Sequence, residues 1–150
     1  MKIYILYAML AGVAWGLGGY FEKAGLQSMK MPPIVGITVR TFVALIILGM
    51  ISLPAWKNIS NPADFKAWLM ILIGGGIIAG SLGMWSFYAA LSTSENLGVT
   101  LAVAFALAPI TGTAIGLING TQKIDLKIAI GLMAIIGGII LIQLAHKTGK

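Results

Sequence analysis

The sequence contains no cysteine and very few charged residues. Without cysteine, disulfide bonds, thiol catalysis and cysteine-based metal sites are all excluded. Charged residues make up only 9% of the 150 residues, whereas a soluble domain carries roughly 25% because its surface faces water. Ten Lys and Arg with four Asp and Glu are too few to cover a globule of this size. Most of the chain is therefore expected to lie in lipid.

Hydrophobic residues account for 59% of the chain, and the mean hydropathy is +0.98. This composition excludes intrinsic disorder, which needs low hydrophobicity and high net charge. A net charge of +6 indicates nucleic-acid binding only where the cations form a patch on a soluble fold. Here the cations lie between apolar runs, so we expect no nucleic-acid partner. The sequence predicts an integral membrane protein.

Five apolar stretches are each long enough to cross a bilayer as a helix, which needs about 18 residues. They cover residues 3–21, 34–53, 67–91, 97–119 and 126–144. Strands are disfavoured, because barrel strands alternate polar and apolar residues and these runs are apolar on every face. We predict an all-α membrane fold in which residues 1–150 form a single five-helix transmembrane domain.

Helix-start signals separate the runs. Prolines at residues 32–33 precede the second helix. Asn61 and Pro62 are the predicted N-cap and first helical residue of the third. Residues 92–95 have capping-box spacing before the fourth helix, and Asp125 is the predicted cap of the fifth. Because each connection is short, we expect consecutive helices to be antiparallel neighbours.

Glycine is abundant and is placed at helical spacing. Lipid provides no hydrophobic drive for helix association, so close backbone approach at small residues replaces it. Gly112, Gly116 and Gly120 lie on one stripe of the fourth helix, and we predict that they form a seam between two protomers. Pro109 is predicted to kink the same helix. The run Gly74–Gly76 lowers helix propensity in the third helix and allows bending.

Arg40 is the charged residue that lies within an apolar run, about 9 Å into the second helix. An ionised side chain at that depth costs at least a few kcal/mol unless it is paired, snorkels or faces water. Arg40 therefore either snorkels to the interface, or binds an anionic group in a cavity, or pairs with a carboxylate. Glu22, at the end of the first helix on the same side, is the natural partner. The other carboxylates stand at helix starts, where capping explains them.

Several deeper side chains form a candidate cavity. The bland interpretation of Trp15, Trp85 and Tyr88 is lipid-facing or interfacial placement. The functional interpretation is that these three side chains line an apolar pocket that contains a few polar groups. The polar groups would come from Thr38, Thr41, Ser81 and Ser86. No nucleophile–base pair, phosphate loop or metal-ligand cluster is present, so we expect neither an enzyme nor a cofactor or metal.

The cations are divided almost evenly across the membrane. Five spans put the termini on opposite sides, and Lys/Arg asymmetry in short loops normally sets orientation. One side carries Lys2, Lys57, Lys66, Lys123 and Lys127, and the other carries Lys23, Lys30, Lys147 and Lys150, with Arg40 as a fifth cation. Either subtler signals fix one orientation, or copies insert both ways and pair antiparallel.

The residues from Trp15 to Leu26 resemble the W-G-x-x-x-x-F-E-K-x-G-L run of five-helix EamA-type proteins, members of the drug/metabolite transporter superfamily. Arg40 matches the arginine of their second helix. Residues 87–91 resemble the Y-x-A-L end of the third, residues 108–109 the A-P of the fourth, and residues 131–141 the closing glycine run. The resemblance covers nearly the whole chain.

This resemblance implies a transporter. Full-length members have ten helices in two inverted five-helix repeats and carry small metabolites by alternating access, with the substrate site near the midplane. A five-helix chain is similar to one such repeat and would have to pair. Two departures stand out. Gln122 occupies the position of a family glutamate, and Trp15 and Gly16 occupy the depth of the helix 1 glutamate of small multidrug resistance proteins. Proton-driven multidrug antiport is therefore not expected.

The leading hypothesis is a half-size transporter of a small molecule that works as an antiparallel homodimer. Trp15, Arg40, Trp85 and Tyr88 would line its cavity, and Glu22 would pair with or gate Arg40. The expected location is the cell membrane, as a multi-pass protein of a prokaryotic plasma membrane. The alternatives are a non-transporting accessory or scaffold subunit, and a translocator of lipid or lipid-linked sugar.

Dual topology makes a direct prediction. A reporter fused to the C-terminus is expected on both sides of the membrane, because the cation balance gives neither orientation an advantage. The measurement is the activity of two fusions, one reporter active only in the cytoplasm and one only outside it. Activity of a single fusion would contradict dual insertion.

Overall fold

The computed structural model describes residues 3–59 and 62–148, with side chains up to residue 145. The all-α prediction is confirmed, since the described residues form helices and contain no strand. Five helices are long and apolar enough to cross a membrane. The protein is therefore a multi-pass membrane protein. The helical elements are α1 (Ile3–Ser28), α2 (Pro33–Ser52), α3 (Phe65–Leu69), α4 (Met84–Thr93), α5 (Leu97–Ile118) and α6 (Leu126–Thr148).

The helices pack as two compact units, divided between Thr93 and Ser94. In the first unit, α4 packs against both α1 and α2, and in the second, α5 packs against α6. The buried apolar side chains are few and belong to the first unit: Leu26, Ile37, Tyr88 and Leu91. Most other large apolar side chains are exposed, which is the surface that a helix presents to lipid.

Helix α1 continues to Ser28, seven residues beyond the predicted end of the span. Glu22 therefore lies inside the helix and not at its end, because Glu and Lys are good helix formers and no proline follows until residue 32. The helix ends in a left-handed turn at Lys30, which has a φ of 47°. The amide of Met31 donates to the Leu26 carbonyl (2.9 Å), and the amide of Lys30 donates to the Gln27 carbonyl (3.3 Å).

The second span is longer than its apolar run. Helix α2 continues into a 3-10 turn, Leu53–Asn58, because Pro54 has no N–H to continue the α-helical pattern. Trp56 at this end stacks on Trp68, with ring centroids 6.2 Å apart. The Trp68 indole also donates to the Pro62 carbonyl (2.9 Å). These contacts join the end of the second span to the start of the third.

The start of the third span differs from the prediction. Asp64 is the N-cap of α3, since its carboxylate accepts from the Ala67 amide (3.0 Å). Pro62 lies in the preceding turn and is not the first helical residue, and Asn61 lies outside the described residues. An aspartate directly before Phe65 already accepts a hydrogen bond from the first turn of α3, so the predicted signal at Asn61 and Pro62 is not needed to start the helix.

The middle of the third span is a π-helix from Met70 to Gly83, between α3 and α4. Its bonds run from i to i+5, a geometry that is rare and commonly occurs at functional sites. The segment contains the predicted flexible run Gly74–Gly76. A Cβ atom at residue 80 would lie 2.8 Å from the Gly75 carbonyl oxygen, so this wide turn requires glycine there. The Ser81 hydroxyl donates to the Gly76 carbonyl (3.0 Å), which stabilises the same register.

Of the two remaining predicted helix caps, the one before α5 is wrong and the one before α6 is confirmed. Asn96 caps α5, with its side-chain oxygen accepting from the Val99 amide (3.2 Å). The predicted capping box fails because Ser92 and Thr93 still belong to α4 and donate back to the Ala89 carbonyl. The Asp125 cap of α6 is confirmed, since its carboxylate accepts from the Ile128 amide (2.8 Å).

Helix α5 ends one residue earlier than predicted, at Ile118. Gly120 has a φ of +66° and forms the left-handed turn after the helix, where glycine is the preferred residue. The amide of Thr121 donates to the Gly116 carbonyl (2.8 Å) and that of Gly120 to the Leu117 carbonyl (3.0 Å). Gly120 is therefore a capping residue and not the last member of a helical glycine stripe.

The π segment supports a substitution test. Gly80→Ala is expected to lower the free energy of unfolding by about 1–3 kcal/mol, because the added methyl group overlaps the Gly75 carbonyl. Gly75→Ala is the matched control, since a Cβ atom there meets nothing within 4 Å. The measurement is denaturant unfolding in micelles. Equal stability of the two variants would contradict the π register.

Candidate functional site

Glu22 of α1 and Arg40 of α2 form an ion pair inside the first unit. The Arg40 Nε atom lies 2.9 Å from the Glu22 Oε1 atom, and the two side chains are 38% and 20% exposed. Both residues lie within candidate membrane spans. An ion in hydrocarbon is stable only when it is paired or hydrated, and here each charge neutralises the other.

Tyr88 of α4 adds a third group to this pair. Its hydroxyl donates a hydrogen bond to the Glu22 carboxylate, and only 2% of the residue is exposed. A buried phenol needs a hydrogen-bond partner, and the carboxylate is a strong one. Glu22, Arg40 and Tyr88 therefore form a polar network that joins the first three spans.

Gly36 allows the three spans to meet at this network. A Cβ atom at residue 36 would lie only 2.7 Å from Leu26 Cδ2 and 3.1 Å from the Tyr88 ring. Gly36 is four residues before Arg40 and so lies on the same face of α2. Leu26 is 4% exposed and Tyr88 2%, so close backbone approach is combined with tight side-chain packing.

The sequence reasoning missed Gly36 and Leu26. The available signal was the spacing between Gly36 and Arg40, which places a small residue one helical turn from an intramembrane charge. Pairs of small residues four apart on one helix are the usual sequence signal of close helix packing. Gly36 instead faces large side chains of two other helices, and this pattern is not visible in α2 alone.

The two tryptophans of the predicted cavity lie on the surface of the first unit. Trp15 is 54% exposed and Trp85 50%, whereas the structure brings Arg40 and Tyr88 together through Glu22. A cavity role for Trp15 and Trp85 stays a prediction.

A separate groove of about 370 Å³ lies between α2 and the π segment. Three of the predicted polar groups, Thr38, Thr41 and Ser81, line it, and Ser86 does not. Its other lining residues are Ile34, Ile37, Phe42, Leu45 and Gly80. The groove is thus apolar with three hydroxyl groups, and its lining includes none of Trp15, Arg40, Trp85 and Tyr88.

The predicted residues of the second unit have local structural roles. Pro109 lies inside α5. A Cβ atom at Gly116 would lie 2.7 Å from the Gln122 side chain, so the chain itself covers this glycine. Gly112 has no neighbour within 4 Å of an added Cβ atom. With Gly120 in the capping turn, a seam between protomers stays a prediction that rests mainly on Gly112.

The chain as a whole matches a family model. The model describes the EamA-like transporter family and matches residues 2–144. This chain belongs to the EamA-like transporter family. No curated protein and no solved structure matches the chain, so the family model alone carries the assignment. Membership agrees with the five apolar helices and with the motif that contains Glu22.

Within this EamA domain, the network provides two distinct chemical capabilities. The Arg40 guanidinium offers planar N–H donors that suit a carboxylate or a phosphate, and more than a third of its side chain is exposed. The Glu22 carboxylate accepts from both Arg40 and Tyr88. Within residues 3–59 and 62–148, no group of three or more His, Cys, Asp or Glu side chains gathers to hold a metal ion.

A double-mutant cycle tests the ion pair. Glu22→Gln and Arg40→Gln are each expected to lower the free energy of unfolding by about 1–3 kcal/mol, because each leaves one charge unpaired in the membrane. The double variant should lower the free energy of unfolding by less than the sum of the two single-variant losses, since it removes both charges. Denaturant unfolding in micelles gives all three values. Additive effects would show that the charges do not interact.

Proposed function

We propose that this chain is a half-size transporter that moves a small metabolite across the cell membrane by alternating access, as an antiparallel homodimer. Membership of a transporter family and five apolar helices support the transport function. The near-equal division of cations between the two sides supports the antiparallel pairing. A second, inverted copy would supply the five helices that a ten-helix inverted-repeat transporter has.

The observation that carries the proposal is the network of Glu22, Arg40 and Tyr88. Intramembrane ionisable groups are costly and usually mark substrate or ion pathways. In a scaffold that only packs helices, apolar side chains would fill this position without the desolvation cost of two charges. An ion pair that is partly exposed is suited to open and close, because its partners exchange contacts with a substrate at low net cost.

The way in which the network joins its helices supports the proposal of alternating access. Arg40 lies on α2, and Glu22 and Tyr88 lie on α1 and α4. Breaking the contact between Glu22 and Arg40 would remove the ionic link between α1 and α2, while α2 stays packed on α4 at Gly36. In the dimer, the contact between Glu22 and Arg40 would break in one copy while it forms in the other. Trp15 and Trp85 would line the shared cavity beside these contacts.

The groove beside α2 favours a second candidate function. It is apolar, carries three hydroxyl groups and lies within two membrane spans. Such a surface suits a lipid or a lipid-linked sugar, whose tail remains in the bilayer while its head group is moved. In that case, substitutions of Thr38 and Thr41 would reduce transport more than substitution of Arg40.

A transport assay tests the first function. A thermal-shift screen of amino acids, nucleosides, amines and organic anions on the purified protein identifies a ligand, whose flux is then measured in proteoliposomes. Arg40→Gln is expected to reduce the flux at least about tenfold, which corresponds to about 1.4 kcal/mol of lost interaction. Lys127→Gln, an exposed residue at the start of α6, is the matched control and should retain it. Unchanged flux in Arg40→Gln would remove this residue from the mechanism.

A further inference from the structure

A second pocket lies at the connection between α1 and α2. Its volume is about 410 Å³. The charged residue in its lining is Lys30, and the uncharged polar ones are Gln27 and Ser92. The remaining lining residues are Leu26, Met31, Pro32 and Pro33. The pocket thus presents one positive charge at the end of the membrane span that contains Glu22.

Lys30 occupies this position at a conformational cost. Its φ of 47° is left-handed, and it stands where the turn after a helix normally has glycine. A residue with a Cβ atom is disfavoured in that conformation. Local strain of this kind commonly marks a functional position. The turn itself requires no lysine, so the side chain is the feature that needs an explanation.

The base of the pocket leads to the polar network. Leu26 lines the pocket, and its Cδ2 atom would lie 2.7 Å from a Cβ atom at Gly36. Gly36 also faces the ring of Tyr88, whose hydroxyl is bonded to Glu22. Only 4% of Leu26 is exposed. One buried leucine therefore separates the pocket from the side chains that hold Glu22 and Arg40.

The charges of this region favour an anion. Lys30 is the charge in the pocket lining, and Arg40 and Glu22 of the neighbouring network offset each other. The net charge on this route is therefore that of Lys30, which attracts anions and repels cations over a distance of several ångströms. An amine would meet this repulsion before it reached Glu22, whereas a carboxylate would meet attraction at Lys30 and again at Arg40.

We propose that the pocket at the α1–α2 connection is the substrate entrance and that the substrate is an organic anion with a carboxylate group. Lys30 attracts the carboxylate, Leu26 closes the passage, and Arg40 binds the carboxylate with the donors that Glu22 leaves exposed. The proposal rests on the transport function above and specifies the substrate class. It also assigns a role to a lysine whose backbone is strained.

The absence of cysteine from the natural sequence allows a clean reporter experiment. Ser92→Cys places a single thiol in the pocket. Its reaction with anionic sulfonatoethyl methanethiosulfonate is compared with that of cationic trimethylammonioethyl methanethiosulfonate, in micelles. Both rates are normalised to those of a free thiol. A preference of about fivefold for the anionic reagent is expected, the effect of one unit charge nearby.

Adding Lys30→Met should abolish this preference, because methionine keeps the Cβ atom and the apolar stem but removes the charge. Lys66→Met, at the start of α3 and outside the pocket, is the matched control and should leave the preference unchanged. Absence of an anionic preference, or its persistence without Lys30, would overturn the proposal.

The reporter separates this proposal from the transport function. A preference that depends on Lys30 supports the anion entrance even if no flux is found in proteoliposomes, a result that would contradict the transporter. Flux of an amine or an uncharged nucleoside with no anionic preference at residue 92 would overturn the entrance and leave the transporter standing.

Discussion

The contact between Glu22 and Arg40 is the interaction on which the rest of the first unit depends. Two charges in membrane spans are costly unless they are paired or hydrated, and the 2.9 Å contact that pairs them requires close approach of α1 and α2. That approach requires glycine at residue 36, where any side chain would meet Leu26 and Tyr88. Tyr88 then satisfies the carboxylate from α4. One electrostatic requirement thus accounts for the burial of Leu26 and Tyr88, two of the four buried apolar side chains of this unit.

The third span combines a regular α-helix, α4, with a π-helical segment. Helix α4 carries Tyr88 and is fixed by the polar network, whereas the π segment before it has glycine at five positions and a bond pattern that α-helices lack. A π segment differs from an α-helix in the number of residues per turn, so a change of register would rotate α3 relative to α4. The aromatic stack between Trp56 and Trp68 holds the other end. The π segment from Met70 to Gly83 thus lies between two ends of the span that are each held by side-chain contacts.

The helices were predictable from the sequence because lipid imposes a minimum apolar length, and α6 and the Asp125 cap follow from local rules alone. The pairing of Glu22 with Arg40 was expected on chemical grounds, since few other charges lie within the spans. Three features were not predictable in this way. The extension of α1 past Glu22 depends on weak propensities, the π segment on cooperative bonding over fourteen residues, and the position of Gly36 on two other helices. Only the role of Gly36 depends on contacts that no single helix contains.

The even division of cations has a further consequence for an antiparallel pair. Lys30 and Arg40 both lie on one side of the chain, where the proposed anion path needs them. In a chain with a single orientation, such a cluster would also decide the topology. A chain that inserts both ways must balance these cations with others that have no role in the path. Lys57 and Lys66, beside the stacked tryptophans, provide that balance. Under the proposed dual insertion, lysines would be needed at both ends of a protein that has so few charges.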